Sequence, residues 1–157
     1  MKKLNAVLCL VVVCAIFEKP LADDRGTPAA KAPGSSAPAK NDNQAITQAA
    51  LDYIEGWYEG SPARMEKALH PSLVKRRAAG DRIEELDYKT MMDYTRKGGG
   101  KAVPKSAYKI EVKILHVSNN ISAVMTSSQY IDYLHLAKLD GQWKIVNVLW
   151  DLNRGKS

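Results

Sequence analysis

The sequence predicts an α+β fold in which three N-terminal helices pack on a curved antiparallel meander sheet. Three observations carry this. Apolar residues recur at helical spacing between Ile46 and Thr95, and the period drops to two from Tyr108 onward. Asp140-Gly141 then lies between two runs rich in β-branched, aromatic and aliphatic residues, which signals a hairpin.

The first helix is the clearest element. Ile46, Ala49, Ala50, Tyr53, Ile54, Trp57 and Tyr58 make one continuous stripe, with Asp42 or Asn43 as cap and Gly60 as terminator. Ser61-Pro62 opens a second helix with Met65, Ala68 and Leu69 on its apolar side. His70-Pro71 ends it, because the residue before proline is pushed out of the helical region. Leu73-Val74 returns to the core, Lys75-Arg76-Arg77 reads as a solvated turn, and Ile83 and Leu86 mark a short extended piece. Asp87 caps a third helix carrying Met91, Met92 and Thr95. Its end, Gly98-Gly99-Gly100, lacks the Lys-Ser/Thr of a phosphate loop and reads as a flexible connection.

In the second half, Tyr108, Ile110, Val112, Ile114 and His116 alternate with Lys109, Glu111 and Lys113 as a half-exposed strand. Asn119-Asn120 is a turn, Ile121 to Thr126 a strand, and Ser127-Ser128-Gln129 a corner. In the last strand, strict alternation sends Trp143, Ile145, Asn147 and Leu149 one way and Lys144, Val146, Val148 and Trp150 the other. Lys144 marks its own face as the outer one, so Asn147 is expected on the covered face. A bulged turn at Asp140-Gly141 would place Tyr133 and His135 on the same face as Asn147, whereas a two-residue turn would place Leu134 and Leu136 there.

The chain begins differently. Met1-Lys2-Lys3 is basic, Leu4 to Phe17 is apolar but short for a membrane span, and Pro20-Leu21-Ala22 offers a small residue. Residues 1–22 are expected to be a cleaved bacterial secretory signal, with a lipoprotein signal at Cys14 as the alternative. Residues 23–42 are a Pro/Ala/Ser-rich stretch with no large apolar residue, expected to be a disordered tether. The folded domain then spans 43–154, and the protein is expected in the periplasm or outside the cell, free of the membrane after cleavage.

Both cysteines, Cys9 and Cys14, fall in the signal, so the mature chain would have neither disulfide nor cysteine-bound metal. Removing the signal lowers the net charge from +6 to +4, since Lys2, Lys3 and Lys19 leave with Glu18. That mild charge, without an arginine stripe, argues against nucleic acid as partner. His70, His116 and His135 show no HxxxH or HxH spacing, so no metal site is expected, and no cofactor motif is found.

The segments YIEGWYEGSPARMEKALHP and DYLHLAKLDGQWKIVNVLW, in the order helices then meander, resemble the putative lumazine-binding proteins of the nuclear transport factor 2-like, polyketide cyclase-like superfamily. The resemblance implies a cone-shaped, cystatin-like fold with a central cavity between the helices and the sheet. It also implies a homodimer formed through the sheet, for which Val146, Val148 and Trp150 offer an apolar outer patch. A small, partly apolar organic ligand is the expected partner, and Tyr53, Trp57, Tyr58, His70, Met92, Tyr133, His135 and Asn147 are the candidate ligand-binding residues. Each has a plainer reading: the rings as core, His70 as a helix cap, Asn147 as a hydrogen-bonded amide.

Some enzymes of the superfamily use an acid/base pair in the cavity, for which Tyr53, Tyr58, Asp132, His70 and His135 are candidates. No motif fixes their mutual geometry. An isomerase- or dehydratase-like activity therefore stands beside ligand binding, as does an accessory or interaction module.

Overall fold

The computed structural model describes residues 40–155. The expected signal and all but the end of the expected tether lie outside the described residues. The elements are α1 (Lys40–Glu59), α2 (Pro62–Ala68), β1 (Leu69–Ala79), β2 (Arg82–Asp87), α3 (Tyr88–Arg96), β3 (Glu111–Ser118), β4 (Ile121–Ser127), β5 (Tyr130–Leu139) and β6 (Gln142–Leu152). The strands form one six-stranded sheet in the order β2-β1-β6-β5-β4-β3. β1 runs parallel to β6, and the other neighbours are antiparallel. Among the described residues no helix is long and apolar enough to cross a membrane.

The α1 stripe does what its spacing requires. Ile46, Ala50, Tyr53, Ile54 and Tyr58 are buried against Val124, Leu134, Leu136, Ile145 and Val148 of the sheet. Full burial of each such large side chain contributes about 1.5–3 kcal/mol. The helix starts at Lys40, earlier than the expected 43. Asp42 therefore lies in the first turn, where the helix dipole favours a carboxylate. Its Oδ1 accepts from Lys138 Nζ at 2.7 Å and Trp143 Nε1 at 3.1 Å, tying the helix start to the β5–β6 hairpin.

The sheet is larger than expected and mixed. The segment read as a core return, a basic turn and a short extended piece is the β1–β2 hairpin. In β1, Leu73 and Lys75 are buried while Pro71 and Ser72 are exposed. The period of two was hidden because charged residues occupy inward positions.

The Asp140-Gly141 turn is the two-residue form, with both residues at positive φ (48° and 77°) and Leu139 opposite Gln142. The extra residue sits in β6 instead. Leu136 pairs with Ile145 and His135 with Asn147, leaving Val146 as a bulge. A bulge reverses the face of everything beyond it. Trp143 and Ile145 point inward before it, and Val148 and Trp150 after it. Asn147 and the half-exposed Leu149 turn outward. The expected covered position of Asn147 and the expected outward positions of Val148 and Trp150 are both corrected for this reason.

The triple glycine is a packed turn. Gly99 N–H donates to Tyr94 O at 3.0 Å and Gly100 N–H to Trp57 O at 2.9 Å. A Cβ on Gly100 would stand 2.8 Å from Tyr58 Cδ1 and 2.9 Å from Trp57 Nε1. Gly141 has a positive φ but open space around it. Gly100→Ala is expected to lower stability by about 1–3 kcal/mol through overpacking. Gly141→Ala should cost only about 1 kcal/mol of backbone strain. Chemical denaturation of the two variants checks the order, and equal losses would contradict the packing at Gly100.

Candidate functional site

A cavity of about 210 Å³ lies between α1, α3 and the covered face of the sheet. Tyr53, Ile54 and Trp57 of α1 line one side, and Met91 and Tyr94 of α3 another. Lys75, Leu86, Tyr130, Asp132 and Trp150 complete it from β1, β2, β5 and β6. Its walls are overwhelmingly apolar and aromatic. Its volume is below the roughly 300–1,000 Å³ of drug-sized sites, which sets the scale at one or two rings.

The charged residues of that lining are Lys75 and Asp132, and they meet. Lys75 Nζ donates to Asp132 Oδ1 at 2.9 Å and to the Tyr53 hydroxyl. Tyr53 in turn donates to Asp132 Oδ1 at 2.9 Å. Lys75 is 8% exposed and Asp132 1%. The ammonium lies 5.1 Å from the Tyr53 ring centre and 4.7 Å from that of Trp150, within cation–π range. Two ions this deep are tolerated because each partners the other; alone, either would carry several kcal/mol of desolvation.

Burial pushes the Lys75 ammonium below the usual lysine range, against the opposing pull of Asp132. Burial first, then the Asp132 charge, hold the Tyr53 phenol well above its ordinary range, so it stays a donor at neutral pH. Asp132 Oδ2 has no hydrogen-bond partner among the described residues. Neither has Thr126 Oγ1, which sits opposite Asp132 across β4–β5. On the β1–β2 side, the Arg77 guanidinium lies 5.1 Å from the Trp150 ring centre and binds Glu84 at 2.7 Å.

Of the sequence-predicted site residues, the structure brings Tyr53 and Trp57 to this cavity and leaves the others out. Tyr58 is buried behind it, stacked on Tyr108 at 4.4 Å, with its hydroxyl on Ser128 Oγ at 3.0 Å. Met92 is core, because the turn of α3 presents Met91 and Tyr94 to the cavity. His70 lies at the start of β1 rather than at a helix end, and its Nδ1 accepts from Ser72 N–H at 3.1 Å. Tyr133, His135 and Asn147 share a face, but it is the outer one. Asn147 Oδ1 accepts from Arg76 at 2.9 Å, and its Nδ2 meets His135 Nδ1 at 3.2 Å. They were misplaced with the bulge.

Sequence reasoning left Lys75, Tyr130, Trp150, Met91, Tyr94, Ile54 and Leu86 out of the cavity, and offered Asp132 only as one of five acid/base candidates. The alternation through Leu73 and Lys75 was the available signal for Lys75. A groove of about 350 Å³ between His116, Ile121, His135 and Val146 lies on the outer side and holds no such ion pair. Among the described residues no group of three His, Cys, Asp or Glu could hold a metal.

Three helices on an open mixed sheet, enclosing one aromatic cavity, define a nuclear transport factor 2-like α+β protein. Solved structures agree. One nuclear transport factor 2-like protein of unknown function, from Silicibacter pomeroyi, superposes with a TM-score of 0.61 at 11% identity, covering 74% of this chain and 99% of that one. Another, from Methylobacillus flagellatus, gives 0.56 at 22% identity, covering 73% and 94%. A domain of unknown function with a cystatin-like fold from Nostoc punctiforme gives 0.54 at 15%, covering 76% and 80%. At these identities the likeness is one of fold. Residues 41–151 match the family described as putative lumazine-binding, and the chain belongs to it. No curated protein matches the chain.

The ion pair makes a sharp energetic prediction. Lys75→Met or Asp132→Leu alone should cost about 3–5 kcal/mol, because each strands a buried charge. The double variant should cost far less than the sum, and denaturant titrations of the four proteins would show it. Additive losses would mean the two charges are not coupled.

Proposed function

We propose that the protein binds a small, partly apolar ligand in the cavity between α1, α3 and the sheet, after export from the cytoplasm. The observation that carries this reading is the cavity itself: aromatic walls around one buried polar cluster, Lys75, Asp132 and Tyr53. Apolar walls supply affinity, and a few fixed polar groups supply orientation. Residues 1–22 support export, since they carry the basic, apolar and small-residue order of a secretory signal.

Native mass spectrometry of protein recovered from its host tests these points together. The chain is expected to begin at Asp23 and to carry a bound small molecule, which Trp57→Ala loses while the fold survives. A chain beginning at Met1 would overturn export. A ligand-free chain that also takes up no aromatic probe at millimolar concentration would overturn binding.

An acid/base isomerase or lyase is the second reading, favoured by the contact between Tyr53 and Asp132. Both Tyr53 and Lys75 direct their hydrogen bonds to the same oxygen, Oδ1, which supports a held carboxylate more than one poised to take a proton.

We also propose a homodimer through the outer sheet face, with its residues reassigned from those expected. Val148 and Trp150 face inward; the half-exposed Tyr133, Leu149 and Leu115 supply the apolar surface instead. Exposed apolar side chains grouped on one sheet face are what an isologous pairing surface needs. Sedimentation at tens of micromolar should give a dimer that Tyr133→Glu with Leu149→Glu converts to monomer; a monomeric parent protein would refute the pairing.

A further inference from the structure

We infer that the cavity takes an apolar ring bearing a short acidic arm: the ring lies among the aromatic walls, and its carboxylate lies at the cavity mouth on Arg77. This rests on the reading that the cavity binds a small ligand, and adds a second binding point outside the Lys75–Asp132 pair.

Shared walls fix the mouth. A second hollow of about 260 Å³ is lined by Arg77, Glu84, Leu86, Tyr94 and Trp150. Leu86, Tyr94 and Trp150 also line the cavity, so the two spaces adjoin at these side chains. Tyr94 is 46% exposed and the Arg77 side chain 34%, against 9% for the Lys75 side chain, so the cavity meets solvent on this side. Arg77 follows Lys75 by two positions in β1 and therefore shares its face of the sheet. One ring links them: the Lys75 ammonium lies 4.7 Å from the Trp150 ring centre and the Arg77 guanidinium 5.1 Å. A ligand ring packed on Trp150 brings a short side arm beside Arg77.

Donors and charge select what that arm carries. A guanidinium has five N–H donors in a planar fork. Glu84 Oε2 lies 2.7 Å from both Nε and Nη2 of Arg77, which occupies one edge of the fork. Nη1 has no hydrogen-bond partner among the described residues. The edge formed by Nη1 and Nη2 is thus left, and it matches the two oxygens of a carboxylate. Glu84 does not cancel the charge of the mouth. Its Oε1 also accepts from Arg82 at 2.9 Å, and Arg77 and Arg82 together hold it below the usual carboxylate range. Two cations on one anion leave a single positive charge, which suits a monoanion. Within the cavity Lys75 and Asp132 neutralise each other, so selection by charge falls to the mouth. The competing occupant of the open Arg77 edge is water, in which case an acidic arm gains nothing.

The test uses the full chain and three probes of one shape, each a naphthalene with a two-carbon arm: naphthylacetate, naphthylethanol and naphthylethylammonium. Calorimetry at neutral pH and low salt should rank them acid, alcohol, ammonium. The acid should bind about tenfold tighter than the alcohol, the lower end for a hydrogen bond to a charged group because Arg77 is partly solvated. In Arg77→Met the acid should lose that advantage. In Glu84→Gln, which releases the occupied edge of Arg77, the advantage should grow. Equal affinity for acid and alcohol in the parent protein would overturn the inference and leave cavity binding intact. An advantage that survives Arg77→Met, or shrinks in Glu84→Gln, would overturn the role of Arg77. Failure of all three probes to bind would overturn the binding reading, and this inference with it. The ranking on the unsubstituted chain decides the matter even if a variant does not fold.

Discussion

The buried contact between Lys75, Asp132 and Tyr53 is the constraint on which the rest of the arrangement depends. It draws one residue each from β1, β5 and α1 to a single point, across the intervening strand β6. A misdocked helix or a strand slipped by one residue would leave an unpaired charge in an apolar interior. That penalty is larger than the loss of any one apolar contact. The triad therefore works as a register pin. An all-apolar cluster of the same volume would often be at least as stable, so its presence points to a use for polarity at that spot. It is the one charged point in an otherwise aromatic cavity.

The bulge at Val146 is the second constraint. Strands alternate with a period of two, so one inserted residue exchanges the two faces of everything beyond it. Before the bulge, Trp143 and Ile145 fill the core beneath the helices. After it, Val148 continues that core and Trp150 becomes a cavity wall over Lys75. Without the bulge, Asn147 and Leu149 would face the helices, and Lys75 would lose the cover of the Trp150 ring. The same shift moves Asn147 to the outer face, where Arg76 and His135 satisfy its amide. One residue in β6 thus decides both what lines the cavity and what the outer face presents.

The outer surface follows from these two choices. The outer face of the central strands carries Tyr133, Leu149 and Met125 beside the polar His135 and Asn147, edged by Arg76 and Lys113. Among the described residues the helices cover one side of the sheet only.

What the sequence determined by itself was whatever depends on local periodicity. The stripe from Ile46 to Tyr58 placed α1 and brought Tyr53 and Trp57 to the cavity side. The Asp87 cap, whose side chain accepts from Thr90 N–H at 2.8 Å, placed the start of α3. Asp140-Gly141 placed the last hairpin, and the α+β class followed. What only the tertiary structure decided was whatever depends on a partner distant in sequence. Lys75 looked like part of a solvated basic turn because a lysine at an inward position is affordable only with a carboxylate 57 residues away. The parallel pairing of β1 with β6 leaves no local mark at all. The bulge at Val146 is equally silent, since Lys-Ile-Val-Asn-Val reads as unbroken alternation until its neighbours in β5 and β1 set the register. Period and capping are local energies and can be read along the chain; ion pairing and register are energies between segments, and exist only once the segments have met.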